Sequence, residues 1–167
     1  QPAMLQAGVE GLRKLGYKPV YLGSIFDRDL YFAGTLDRRA KELEEMFVRD
    51  DVRAILCARG GYGSNYLLSK LDPQKIVPHP KIFIGYSDIT SLHLAIGRRA
   101  NLVTFYGPML RYFVARRSDE RTYTERALVK AVTQTEPLGL IEPDPDDPWV
   151  ETINGGVQYR GWIAPNP

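Results

Sequence analysis

Val52-Arg53-Ala54-Ile55-Leu56-Cys57-Ala58 is a short, mostly apolar run that enters the glycine cluster Arg59-Gly60-Gly61-Tyr62-Gly63 and then a helical stretch over 64–71. The same order returns at 81–84, followed by Gly85-Tyr86-Ser87-Asp88 and a helix over 89–99. Apolar runs of this length, bounded by turn signals, read as buried strands. Two strand-loop-helix units in tandem predict strands of one direction. Their loops then leave the sheet at a common carboxyl edge, where folds of this kind bind ligands.

Upstream, Leu5, Val9, Leu12 and Leu15 recur at three- and four-residue steps, so a helix is expected over 4–15 with Gly16 as its stop. A short strand is expected at 19–22. Thr35 is placed to cap a second helix, with Asp37 in its first turn and Leu36, Ala40, Leu43 and Phe47 on one face, ending near Asp50-Asp51. Downstream, a strand is expected over 102–106, stopped by Gly107-Pro108. A helix carrying Ala127, Leu128 and Ala131 is expected over 120–132. Helices alternating with short apolar strands predict an α/β fold, a parallel sheet with helices on both faces.

After Pro137 the composition changes. Glu142-Pro143-Asp144-Pro145-Asp146-Asp147-Pro148 is acidic and proline-rich, and beyond it 149–153 and 157–163 flank Asn154-Gly155-Gly156 as a small hairpin or crossing pair of strands. The expected organisation is an α/β domain over 1–136, a linker over 137–148 and the start of a second, β-rich domain over 149–167. Gln1-Pro2-Ala3-Met4 leads into a helix without a preceding strand, which is expected of a trimmed or partial chain.

A chain of 167 residues with 44% hydrophobic and 25% charged side chains has the composition of an ordinary soluble globular domain and not of a disordered one. A formal net charge of +2, with only short Arg pairs, offers nucleic acid no electrostatic footprint. The single cysteine, Cys57, excludes an internal disulfide and any multi-cysteine metal site. No apolar run nears the roughly 20 residues of a membrane span, and the first residues lack the order of a signal peptide. No metal, cofactor, nucleic-acid or membrane partner is expected.

Ser87 stands where a strand turns abruptly into a helix, the place of a nucleophile elbow. The Asp88 amide would then face an oxygen attacked by Ser87. The spacing is Gly-x-Ser-x-x, so a second reading stays open: Ser87 or Asp88 simply caps the helix. The loop 59–63 either lends backbone donors to an oxyanion hole or is a tight turn that needs glycines. It matches neither a phosphate loop nor a dinucleotide fingerprint. Arg59 either grips a substrate carboxylate or is a surface charge.

A serine nucleophile needs a base within hydrogen-bond reach. His93 lies six residues past Ser87 on the expected helix, about 9 Å along its axis at 1.5 Å per residue. His79 precedes the strand that delivers Ser87 and belongs to the opposite sheet edge. Both histidines read as structural, and Cys57 as a core residue.

Taken in order, Tyr31-Phe32-Ala33-Gly34-Thr35, Arg38-Arg39-Ala40, Ala58-Arg59-Gly60-Gly61-Tyr62-Gly63, Ile84-Gly85-Tyr86-Ser87-Asp88-Ile89-Thr90 and Phe105-Tyr106-Gly107-Pro108 resemble the LD-carboxypeptidase (muramoyltetrapeptide carboxypeptidase) family of serine peptidases, in its N-terminal domain. The resemblance implies a flavodoxin-like or class I glutamine amidotransferase-like domain that lacks its first strand here. It implies Ser87 as nucleophile, the Asp88 and Gly61 amides as oxyanion hole, and Arg59, Gly60, Tyr62 and Tyr106 as substrate-binding residues.

The Glu and His that complete the family's triad belong to its C-terminal domain, of which 149–167 would be a truncated beginning. The chain alone is therefore expected to be inactive. Further implications are metal-independent release of the terminal D-Ala from murein tetrapeptide, a cytoplasmic location in cell-wall recycling, and a homodimer. The alternatives are a microcin C-type acyl-adenylate hydrolase and a catalytically silent module that binds small peptides.

Overall fold

In the computed structural model, residues 2–113 and 122–140 are described. Helix α1, Pro2–Lys14, buries Leu5 and Val9, and Arg13 and Lys14 in its last turn oppose the negative end of the helix dipole. It stops as expected at Gly16. The Gly16 N–H donates to the Arg13 carbonyl (2.9 Å) and the Tyr17 N–H to the Leu12 carbonyl (3.0 Å), while Gly16 takes φ +90°. That is a Schellman closure, and it needs a residue free to turn left-handed.

The strand expected at 19–22 does not form. Its backbone finds no ladder partner among the described residues, and a 3-10 turn, Gly23–Phe26, follows instead. An extended segment becomes a strand only when a neighbour takes its hydrogen bonds.

Helix α2, Leu36–Val48, starts where Thr35 accepts a hydrogen bond from the Arg38 amide (3.3 Å). Its face carries the foreseen Ala40 and Phe47, and also Glu44, which the pattern did not mark. Glu44 is buried because it accepts from the Asp72 amide (2.8 Å) and the Lys75 ammonium (2.6 Å).

Strands β1, Ala54–Leu56, β2, Ile82–Gly85, and β3, Phe105–Tyr106, form one parallel sheet in the order β1-β2-β3. Ala54 stands opposite Ile82, Leu56 opposite Ile84, and Gly85 opposite Tyr106. β1 and β3 are shorter than the apolar runs containing them, although the ladder's bonds reach one residue further at Cys57 and Gly107.

The stretch 64–71 is a 3-10 turn, Asn65–Ser69, rather than an α-helix. Asp72 caps a separate four-residue helix, α3, Pro73–Ile76, and the chain restarts there. Helix α4, Thr90–Ala100, follows β2 through a 3-10 turn, Ser87–Ile89.

Alternation along β1 covers both faces of the sheet. Ile55 joins a core containing Phe47, Phe83, Leu92 and Ile96, with Phe47 and Phe83 stacked at 6.2 Å. Leu56 joins Leu5, Val9 and Leu110 on the other side. The parallel sheet with helices on both faces is thus as the alternation of elements predicted.

Residues 1–120 make one compact unit, and helix α5, Tyr123–Thr133, belongs to a second. Thr122 and Glu125 close its capping box: the Glu125 amide donates to Thr122 Oγ1 (3.2 Å) and the Thr122 amide to Glu125 Oε2 (2.7 Å). The acidic segment 142–148 and the hairpin expected over 149–163 lie outside the described residues.

Candidate active site

At the end of β2 the backbone bends sharply. Tyr86 is extended (φ −152°, ψ −178°), and Ser87 then takes φ +61°, a left-handed conformation that costs a non-glycine residue about 1–2 kcal/mol. Surrounding bonds hold it there. The Ser87 N–H donates to Tyr106 Oη (3.2 Å), Thr90 Oγ1 donates to the Ser87 carbonyl (2.6 Å), and the Ile89 amide donates to the Tyr86 carbonyl (3.3 Å). Gly85 lets the bend close, since a Cβ there would meet Ile89 Cγ2 at 2.8 Å. The Ser87 side chain is left exposed at the carboxyl edge.

The glycine loop after β1 lies directly on this bend. A Cβ on Gly60 would sit 3.3 Å from the Tyr86 carbonyl, 3.4 Å from Ser87 Cβ and 3.6 Å from the Asp88 amide. Gly61 takes φ +130° and Gly63 φ +101°, values open to glycine, and Gly63 also faces the Phe32 ring. The Asp88 amide opens a first helical turn, where an N–H has no acceptor within the helix.

The Asp88 side chain has a role that the sequence did not disclose. Its Oδ2 accepts the Ser64 amide (2.9 Å), and its carbonyl accepts the Ser64 hydroxyl and the Ser91 hydroxyl (3.3 Å). Ser64 is 2% exposed. Asp88, Ser64 and Ser91 therefore stitch the two loops together. The only sequence signal was a small polar residue closing each glycine-bearing loop. Arg39 supports the same loop through the Gly63 carbonyl (3.4 Å) and lies over the Phe32 ring at 5.4 Å.

Of the residues marked in the sequence, Ser87, Asp88, Gly60 and Tyr106 meet at the bend, and Gly61 adjoins them. Arg59 is exposed, with Nε on its neighbour's Gly60 carbonyl (3.3 Å). Tyr62 turns elsewhere: its ring contacts are Tyr31, Phe32 and Tyr66, and its hydroxyl pairs with Tyr66 Oη at 2.7 Å.

His93 gives its Nε2 to the Gly85 carbonyl (2.9 Å) and packs on Phe83 and Tyr106, while Nδ1 is buried without a partner among the described residues. None of these contacts is with Ser87. His79 lies before β2, at the amino end of that strand. Cys57 packs against the core, and burial pushes its thiol up to about 12, so it is no thiolate. Among the described residues no three of His, Cys, Asp and Glu converge as metal ligands, and no helix is long and apolar enough to cross a membrane.

Residues 1–107 match the family described as LD-carboxypeptidase N-terminal domain. The chain is 44% identical over 109 residues to a probable murein peptide carboxypeptidase of Bacillus subtilis, covering 65% of this chain and 34% of that protein. Among solved structures it resembles the microcin C7 self-immunity protein MccF in complex with aspartyl sulfamoyl adenosine, at TM-score 0.73 and 36% identity over 80% of this chain and 40% of that one. It also resembles a muramoyltetrapeptide carboxypeptidase from Oxalobacter formigenes, at TM-score 0.70 and 28% identity over 80% of this chain and 45% of the other. The chain spans about a third of the length of the curated relatives it matches.

Proposed function

Because the chain belongs to the LD-carboxypeptidase family, we propose that it carries the nucleophile and oxyanion hole of a serine carboxypeptidase that releases the terminal D-Ala of murein tetrapeptide. The observation that supports this most directly is the left-handed Ser87 at a strand-to-helix bend, with the glycine loop laid against it. Strain of this kind persists only where surrounding structure holds it, and it clusters at reacting groups.

In this reading Ser87 Oγ attacks the carbonyl carbon of the last peptide bond. The resulting oxyanion is held by the amides of Asp88 and Gly61, which stand on the two stitched loops. Collapse expels D-Ala and leaves an acyl ester on Ser87, which water hydrolyses. Removal of the serine proton needs a base; His93 Nε2 is bonded to the Gly85 carbonyl, and His79 lies before β2, at the end of the strand away from Ser87. The base and its carboxylate partner are accordingly assigned to residues outside those described. A cytoplasmic recycling role and a homodimer, both implied by the family resemblance, complete the proposal.

The test is D-Ala release from tetrapeptide by the full-length protein and its Ser87→Ala variant. Loss of at least 10³-fold is expected, on the order seen when a nucleophile is removed; equal release by both would overturn the assignment. A second reading, hydrolysis of acyl-adenylates, is favoured by the likeness to the MccF structure holding aspartyl sulfamoyl adenosine. Parallel turnover assays on an aminoacyl sulfamate-type or phosphoramidate nucleoside and on the tetrapeptide separate the two.

A further inference from the structure

Arg111 stands in the 3-10 turn Leu110–Phe113, whose place is set by packing. Leu110 and Phe113 are buried, the Leu110 amide reaches the Cys57 carbonyl past the end of β1 (3.4 Å), and α1 approaches the turn through Gly8 and Gly11. The arginine thus leaves from a firm base at the same sheet edge as Ser87. Its Nη2 donates to Tyr86 Oη (2.8 Å) and Tyr112 Oη (3.0 Å), and its guanidinium carbon lies 4.9 Å from the centre of the Tyr112 ring. The two phenol oxygens are 3.3 Å apart. Tyr86 is the chain neighbour of Ser87, and its ring packs edge-on against Tyr106, the residue that accepts the Ser87 N–H.

The donors and acceptors of this trio do not balance. A guanidinium has five N–H donors and no acceptor, and among the described residues only Nη2 is used. Among the described residues no carboxylate forms an ion pair with Arg111. Each phenol oxygen already takes an arginine N–H on a lone pair, and one hydroxyl donates to the other. Hydrogen bonding to Tyr112 raises the Tyr86 phenol above its ordinary range, and the Tyr86 and Arg111 contacts lower that of Tyr112; either hydroxyl can be the donor between them. Arg111 is exposed, and its Nε–H and Nη1 N–H groups take no partner among the described residues, so one formal positive charge remains unpaired among them. The set lacks only an acceptor with paired, negatively charged oxygens.

We propose that Arg111, held by the hydroxyls of Tyr86 and Tyr112, receives the terminal carboxylate of the substrate and so confines cleavage to the last peptide bond. This assignment rests on the carboxypeptidase reading above. The last carboxylate lies about one residue repeat, ~3.8 Å between successive Cα atoms, beyond the scissile carbonyl. The guanidinium is tied to the residue next to the nucleophile through the Tyr86 hydroxyl, on the same edge of the sheet. Arg59, the other guanidinium bordering the site, turns its Nε onto its own loop.

The test compares the tetrapeptide carrying a free C-terminal carboxylate with the same peptide as its C-terminal amide. Binding of both is measured by calorimetry in the full-length Ser87→Ala protein, alone and combined with Arg111→Ala, Arg111→Lys or Arg59→Ala. With charge-assisted hydrogen bonds at stake, the free acid is expected to bind roughly 10- to 100-fold tighter than the amide, and Arg111→Ala to bring that ratio near one. Arg111→Lys, which keeps charge but not the fork, retains part of it. Should Arg111→Ala impair folding, the double change Tyr86→Phe and Tyr112→Phe, which releases the guanidinium, is expected to shrink the ratio as well.

A ratio untouched by Arg111→Ala but lost on Arg59→Ala, in a protein whose Ser87 form releases D-Ala, overturns this assignment alone. Absence of both binding and D-Ala release in the parent overturns the carboxypeptidase reading, and this assignment with it.

Discussion

Removing the Asp88 carboxylate while keeping the Asp88 amide separates loop stitching from oxyanion stabilisation. In Asp88→Ala the Ser64 amide loses the acceptor it meets at 2.9 Å, and Ser64 is 2% exposed, so water has little room to replace that acceptor. A hydrogen bond to a charged group contributes about 1.5–3 kcal/mol, and a buried donor left unsatisfied forfeits a similar amount, so the expected loss is about 2–3 kcal/mol. At roughly 3–4 °C per kcal/mol for a chain of this size, the melting temperature should fall by about 6–12 °C. Asp88→Asn keeps an acceptor at the same position and should lose only about 1 kcal/mol. Urea unfolding gives both values, and hydrogen exchange at the Ser64 amide locates the effect. Unchanged Ser64 protection in Asp88→Ala, or equal losses in the Ala and Asn variants, would refute the stitching role.

Ser87→Gly should abolish hydrolysis yet raise stability by about 1 kcal/mol, because the left-handed backbone at φ +61° is strained for serine and open to glycine; a lower unfolding free energy contradicts this. Gly11→Ala should destabilise by about 3 kcal/mol, since its Cβ would fall 1.5 Å from the Phe113 carbonyl oxygen and must displace the 110–113 turn; calorimetric melting is the measure. Native Cys57 should resist alkylation at pH 8 and react only on unfolding. Its thiol holds its proton to about 12 in the native state against 9.0 for the free group, so between those values the unfolded chain binds fewer protons. Stability should therefore fall as pH rises through that window, by up to about 1.4 kcal/mol per unit.

Much of the fold was legible because its signals are local. Thr35 before Leu36 and Gly16 after Leu15 mark helix ends through hydrogen bonds that involve only near neighbours. The segment 19–22 and the stretch 64–71 misled for the opposite reason. A strand exists only if another strand lies beside it, and the helix-like pattern after Gly63 was interrupted by the start of a new helix at Asp72-Pro73. Glu44 is a charged residue on a buried face, and nothing near it in sequence announces the Asp72 amide or Lys75 that make its burial tolerable.

The sequence by itself determined the α/β class, the succession of strand, glycine loop and helix, the family, and the candidacy of Ser87. Each of these is carried by residue order and short-range pattern. Only the tertiary structure decided that Ser87 sits in a strained bend held by Tyr106, that the Asp88 carboxylate ties that bend to Ser64, that Tyr62 turns toward Phe32 and Tyr66, and that Arg111 shares its Nη2 with Tyr86 and Tyr112. Those contacts join residues 19 to 30 positions apart, except for the local Tyr62–Tyr66 and Arg111–Tyr112 pairs. They come into being only when the parallel sheet brings its carboxyl-edge loops together.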